Sequence, residues 1–395
     1  VNATKARIPA DLIDGSEQAA TLSSRRQGIS LGDGLFLLLL IALATTATLR
    51  LGAWMDAYDL GVLWAVVPTL AYLAHRWPAL RRLSLAVGLL TGLGVWLYAG
   101  SLVRAEQSFL LKYLLASQSA ILWMGVLFLG ALLAYWVGLL ARSTTSAWLG
   151  TALTWGALLA GFTGLLMRWY ESYLIGSDVG HIPISNLYEV FVLFSLIVGL
   201  YYLHFEKRYQ TRQLGGFVML VVTAALGFLA WYAFDRQAHE IQPLVPALKS
   251  WWMKIHVPAN FIGYGTFSLA AMVAVAYLIK ERFRGRFAAS LPPLTVLDDW
   301  MYKSIAIGFA FFTVATILGA LWAAEAWGAY WQWDPKETWA LIVWLNYAAW
   351  LHMRLVKGLR GVFAAYWALI GLLVTAFAFL GVNMFLSGLH SYGQL

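Results

Sequence analysis

The sequence predicts an all-helical, polytopic membrane protein: a bundle of about eleven transmembrane helices, N-terminus cytoplasmic and C-terminus outside. Three observations predict it. The 395-residue chain is 61% hydrophobic with a mean hydropathy of +0.70, more apolar surface than a water-soluble globule of this size can hide. Only 12% of its residues are charged, about half the usual share of a soluble domain. Apolar runs of membrane-crossing length recur along most of the chain. Together these disfavour a soluble enzyme, a nucleic-acid binder and a disordered scaffold. The net charge of +8 is read first as topology, and no nucleic-acid partner is expected.

Residues 1–33 are polar and read as a loose tail; the first apolar run starts too late, and is too long, for a cleaved signal peptide. Spans follow at 34–52, 60–77, 83–103, 119–141, 147–167, 187–205, 214–234, 257–280, 304–324, 338–354 and 362–386. With the N-terminus inside, nineteen of the 27 Lys and Arg fall on the cytoplasmic side, and every loop there carries at least one. The connections on that side are short and basic, apart from 281–303, where Pro292 and Pro293 interrupt a basic stretch. The outer segments, chiefly 168–186, 235–256, 325–337 and 387–395, are rich in Trp, Tyr, His and Gly. Function is expected on that face.

The densest outer segment is the loop at 325–337. Trp327, Tyr330, Trp331, Trp333 and Trp339 fall within 13 residues, with Gly328 among them. An interfacial aromatic belt explains one or two aromatics per helix end. Four Trp and a Tyr in one short loop are better explained as an apolar platform for a flat ligand. Asp334, Pro335, Lys336 and Glu337 read as N-cap, N1, N2 and N3 of the next helix, a capping-box pattern.

Seven histidines fall at two depths. His256 opens its span on the outer side, and His390 lies just past the outer end of the last span. His181 and His239 are also in outer segments, whereas His75, His204 and His352 lie near inner ends. A lone outer His is usually a satisfied polar residue. Two of them flanking a Trp-rich platform suggest bis-imidazole ligation of haem iron. His352 reads either as an interfacial residue beside Arg354 or as an intramembrane functional group. Zinc is disfavoured by the lack of HExxH and of any Cys, and no phosphate-binding glycine fingerprint appears in a strand–helix context.

The run Trp327-Gly-Ala-Tyr-Trp-Gln-Trp-Asp334, followed by Pro-Lys-Glu, resembles the tryptophan-rich WWD signature of haem-handling cytochrome c assembly proteins. Three further segments are similar to the CcsA/ResC type of the System II cytochrome c synthase: His181-Ile-Pro-Ile-Ser-Asn-Leu-Tyr-Glu189, Trp344-Leu-Asn-Tyr-Ala-Ala-Trp-Leu-His-Met-Arg354 and Leu386-Ser-Gly-Leu-His-Ser-Tyr-Gly393. The likeness covers about 119–393, so 119–395 is expected to be the eight-span assembly core, and 34–118 a three-span N-terminal extension of the kind bacterial members carry.

The resemblance implies haem delivery across the membrane and thioether attachment of haem to Cys-x-x-Cys-His motifs of apocytochrome c at the outer face. It makes the chain one subunit of a cytochrome c synthase working with a ResB-like membrane partner, and with thiol-reducing proteins outside. The implied membrane is a bacterial inner membrane rather than a thylakoid, and the implied cofactor is haem b, as substrate and bound ligand. By position, His256 and His390 become the outer axial ligands, with Trp331, Trp333 and Asp334 in the catalytic set. Trp327, Gly328, Tyr330, Trp331, Trp333 and Asp334 become the haem-binding loop. His352 belongs to a second, intramembrane haem site, its partner His lying on the ResB-like chain ahead of His204 or His75 in this one. Lys336 and Arg168 are candidates for the haem propionates. The competing readings are a haem exporter without attachment activity and a non-catalytic chaperone. The absence of Cys suits a synthase whose substrate brings both thiols.

Overall fold

A computed structural model describes residues 28–52 and 55–389 of the chain. Residues 1–27 of the expected 1–33 tail, and His390, lie outside the described residues. Among those described, every regular element is helical. Eleven long helices follow one another: α1 Leu31–Leu51, α2 Ala57–Arg76, α3 Pro78–Tyr98, α4 Ser117–Leu140, α5 Thr144–Ile175, α6 Leu187–Tyr209, α7 Gly215–Arg236, α8 Met253–Arg282, α9 Leu294–Trp327, α10 Pro335–Lys357 and α11 Val362–Phe385.

Ten of the eleven are long and apolar enough to cross a membrane. The exception is α10, the expected span at 338–354. It forms as a 23-residue helix, but Trp, Tyr, Asn346 and His352 occupy its middle and Lys336, Glu337, Arg354 and Lys357 its ends. Several helices outrun their apolar windows. α9 starts ten residues before the expected span, inside the segment read as a loop, because its first turns carry Asp298, Asp299 and Lys303. A hydropathy window sees only the apolar centre of a helix, whereas the backbone ladder continues through charged turns that find partners.

The chain divides into two compact units between Arg82 and Leu83. In the first, Ser30 and Asp33 form a capping box at the start of α1, with Asp33 N–H donating to Ser30 Oγ at 3.2 Å and Ser30 N–H to Asp33 Oδ2 at 2.9 Å. The same carboxylate accepts from Arg81 Nη1 at 2.6 Å, and His75 Nδ1 lies 3.1 Å from Oδ2. His75 is thus engaged within its own unit.

In the second unit the most extensive helix pairs are α4 with α5 and α8 with α9. The hub is α8: 72% of its apolar stretch is buried, the highest share among the ten apolar helices, and it packs on α6, α7, α9 and α11. Small residues allow this, because lipid gives no hydrophobic drive for one apolar helix to prefer another and close backbone approach supplies the contact energy. At Gly308 of α9 a Cβ would sit 2.5 Å from Thr266 Oγ1 and 2.7 Å from the Phe267 ring, so that crossing requires glycine.

Among the described residues, several buried charges lie in hydrogen-bonded clusters that tie helices together, as a medium without water demands. Glu206 of α6 accepts from Tyr135 of α4 at 2.9 Å and Thr151 of α5 at 2.7 Å, with Arg212 Nε at 3.2 Å. Glu171 of α5 accepts from Tyr98 Oη at 2.7 Å and from the Ser117 N–H that opens α4 at 2.8 Å. Asp298 of α9 and Arg354 of α10 form two parallel bonds of 2.8 and 2.5 Å, so the Arg354 that stands two residues beyond His352 is a strut between helices.

Candidate functional site: an aromatic cavity at the loop end of the bundle

At one end of the bundle α9 gives way to the aromatic loop, α8 and α10 begin and α11 ends. Gly328 stops α9 in the left-handed region at φ +80°, a C-cap conformation that only glycine adopts without penalty. Six residues later Asp334 caps α10. Its Oδ2 accepts from Lys336 N–H at 3.0 Å, and Glu337 Oε2 accepts from Asp334 N–H at 3.2 Å and Gln332 N–H at 2.8 Å. The capping box read from the sequence is therefore present, and it also fastens the loop backbone. Trp333 sits at φ +57°, a region costly for a residue with a Cβ, and the surrounding bonds hold it there.

The loop closes over a cavity with an empty volume of about 1390 Å³, part of it open to solvent. Its walls come from α6, α8, α9, α10 and α11 as well as the loop, and they are mostly apolar and aromatic. Of the residues singled out from the sequence, Tyr330, Trp331, His256 and the propionate candidate Lys336 line it. Trp333 meets Trp331 edge-on at 5.8 Å but is 69% exposed, and Trp327 packs on Trp322 at 5.4 Å. Both belong to the loop's scaffold or rim rather than the lining.

His256 lies in the first turn of α8. Its Nδ1 lies 2.8 Å from the Ala315 carbonyl of α9. A carbonyl only accepts, so Nδ1 carries the proton; in the neutral form of the ring the lone pair is then on Nε2, the arrangement that prepares an imidazole for a metal. Gly319 lies against the ring, and a Cβ there would approach Cε1 to 2.9 Å.

Asp334 is buried and its two oxygens are both engaged. Besides capping α10, it accepts from the Leu389 N–H at 2.6 Å through Oδ1. The aromatic loop is thereby tied to the chain that enters residue 390. Gly388 passes so close that a Cβ there would meet Asp334 Oδ1 at 2.2 Å.

The remaining expectations fall elsewhere. His352 sits on α10 sixteen residues beyond Lys336, about 24 Å along the axis at 1.5 Å per residue, and is exposed at the opposite end of the bundle. His204 is exposed on α6, its ring edge-on to Phe205. Arg168 is not available to a ligand: it is 1% exposed, and it donates to Glu189 at 2.7 Å and to the His239 and Glu240 carbonyls at 2.7 and 3.2 Å. Glu189 in turn accepts from Ser185, so this pair fixes two connecting segments, one of which supplies Ile184, Ser185 and Asn186 to the cavity. His181 completes the cluster. Burial works against its charged form, but Glu189 at 3.8 Å and the Val179 carbonyl at 2.6 Å outweigh that, so its pKa is raised.

Arg168→Met is expected to strand Glu189 as a buried, unpaired charge, a loss on the order of 3–5 kcal/mol. The detergent-solubilised variant should melt markedly lower, and Arg168→Met with Glu189→Leu should recover part of the loss. An unchanged Tm in the single variant contradicts the clamp.

Sequence reading missed several contributors, among them Trp322, whose ring lies 6.0 Å from that of His256, Asn260, and Phe379. Trp322 and Phe379 are hidden inside apolar runs. Only Asn260, a polar residue one turn beyond His256, carried a local signal.

The comparisons with known proteins agree in kind. A family model described as "Cytochrome C assembly protein" matches residues 184–390. Relatives named "Cytochrome c biogenesis protein CcsA" include one from Heterosigma akashiwo, 36% identical over 264 residues, covering 58% of this chain and 80% of the relative. One from Guillardia theta is 34% identical over 288 residues, covering 67% and 92%. One from Synechococcus sp. (strain CC9311) is 37% identical over 259 residues, covering 58% and 82%. Among solved structures, the chain resembles one named "Cytochrome c Heme Lyase CcmF" with a TM-score of 0.51 and 21% identity, over 68% of this chain and 48% of that one. The chain thus spans about half the length of that structure, and the likeness is one of fold.

Proposed function

Because the chain belongs to the cytochrome c assembly protein family, we propose that its aromatic cavity holds haem b as substrate and presents it for thioether attachment to apocytochrome c. The observation that carries this reading is His256: a cavity-lining imidazole with Nδ1 pinned to a carbonyl, beside Trp322, in a cavity that Tyr330 and Trp331 also line. The donor set suits a flat, largely apolar macrocycle with an iron at its centre. His256 Nε2 offers one axial bond, aromatic walls offer stacking faces, and His390 supplies the second axial bond.

The chemistry asks little of the chain beyond positioning. Each thiol of a Cys-x-x-Cys-His segment adds across a vinyl group, sulfur bonding one carbon and hydrogen the other, with no net oxidation. Holding a vinyl edge and a peptide in contact geometry converts an encounter between two molecules into an effectively unimolecular step. The substrate's own His then displaces one axial imidazole, which frees the product. The cavity faces the outer side when the N-terminus is cytoplasmic, as the basic residues suggest. His352, at the far end of α10, forms an inner haem site with a His of a ResB-like partner, and haem passes from it to the cavity.

The direct test is the absorption spectrum of the purified protein, alone and with its partner. A low-spin spectrum of haem with two axial histidines is expected. A haem-free protein under haem-replete conditions overturns the reading. Thioether formation on an apocytochrome peptide by the haem-loaded complex separates synthase from exporter. Trp331→Ala with Trp333→Ala should cut copurified haem severalfold at normal expression; undiminished haem means the aromatics are not the platform. His352→Ala should empty the cavity as well as the inner site, and normal occupancy of the cavity argues for a different entry route.

A further inference from the structure

Among the described residues, the cavity lining contains one Lys or Arg, Lys336, and its ammonium makes a single long hydrogen bond. Lys336, at the second position of α10, lines the cavity and is half-buried. An ammonium has three donors. Its nearest acceptor is the Phe379 carbonyl at 3.4 Å, beyond the usual 2.7–3.2 Å, and its charge lies 5.8 Å from the Phe379 ring centroid. None of the described carboxylates forms an ion pair with it.

The acidic neighbours do not fill this role. Asp334 is committed through both oxygens to the backbone N–H groups of Lys336 and Leu389. Glu337 directs Oε2 to two loop amides, and its buried Oε1 has no donor. Burial lowers the Lys336 pKa to about 8, with Asp334 partly opposing the shift, and Glu337 repels an anion from its own side. What remains is the side of Phe379. There the end of α11 passes through a π-type turn, Phe377–Gly381, an irregularity common at functional sites. The amide of Asn383, also in the lining, donates to the same Phe379 carbonyl at 3.0 Å, so that carbonyl is already served without Lys336.

We propose that Lys336 is the anion seat of the cavity, taking a carboxylate of the ligand between its Nζ and the Asn383 amide. This rests on the haem reading above, on which the carboxylate is a propionate. The propionate and vinyl edges of haem lie across the ring from each other. A cation fixed on the α10–α11 wall therefore decides which edge is held and which is offered to the thiols.

The test titrates the detergent-solubilised full chain with haem and with haem dimethyl ester, which keeps the ring, iron and vinyls but lacks both carboxylates. The wild type should prefer haem about tenfold or more. Lys336→Met should bind haem about tenfold more weakly and should not distinguish the two, whereas Lys336→Arg should keep most of the preference and shows that the fold survives change at this position. A Lys336→Met protein that discriminates like the wild type overturns the seat while leaving the haem reading intact. A wild type that binds neither compound overturns the haem reading, and the seat with it.

Discussion

His256→Gly is expected to abolish holocytochrome formation, to below about a hundredth of wild type, and to strip most of the haem that copurifies. The structural loss is small by comparison. The variant forfeits the hydrogen bond to the Ala315 carbonyl, a net contribution of about 1 kcal/mol, and the ring contact with Trp322, and leaves a small space beside Gly319. The chain should still accumulate and melt cooperatively. On the proposed reading the functional loss is large because the imidazole serves as an iron ligand, and no other described His lies in the cavity lining. Imidazole added to the medium should diffuse into the vacated space and restore part of the haem spectrum. A His256→Gly protein with wild-type holocytochrome yield removes His256 from the site.

The second large effect is expected from the contact between the aromatic loop and the end of the chain. Asp334→Asn is nearly isosteric, and Asn is as good an N-cap as Asp, so α10 should keep its start. An amide offers only one oxygen, however. If it caps Lys336, its NH2 faces the Leu389 N–H, donor against donor, and the tie at 2.6 Å is lost. Gly388→Ala attacks the same contact from the other side, since its Cβ would sit 2.2 Å from Asp334 Oδ1, and backbone must move. Both variants should mimic loss of the second axial ligand: normal expression and Tm within a few degrees, but at least tenfold less holocytochrome and a five-coordinate haem spectrum. Combining them should add little, because they break one contact. A Gly388→Ala protein with a wild-type spectrum would falsify the tie. On this view Asp334 is a positioning residue rather than one that touches haem.

The cavity was only partly legible in the sequence. The aromatic loop, its capping box and His256 stand in short segments whose composition departs from the apolar background, so each carries a local signal. Trp322, Phe261, Tyr264, Phe312 and Phe379 carry none, because an aromatic residue in a transmembrane run reads the same whether it faces lipid, a neighbouring helix or a cavity. Arg168 shows the converse error. A cation beside a candidate site invites an anionic ligand, yet its guanidinium is consumed by Glu189 and two carbonyls more than seventy residues onward in the chain.

Sequence by itself determined the all-helical class, the run of long apolar helices and the loop where chemistry-bearing residues concentrate. These depend on hydropathy and local capping, which act within a few turns of chain. Tertiary structure alone decided which aromatics form walls and which form scaffold, that Lys336 rather than Arg168 faces the cavity, and that Asp334 binds the loop to the last turn. Those outcomes depend on which helix faces come together, and a contact between residues 334 and 389 has no expression in either stretch of sequence alone.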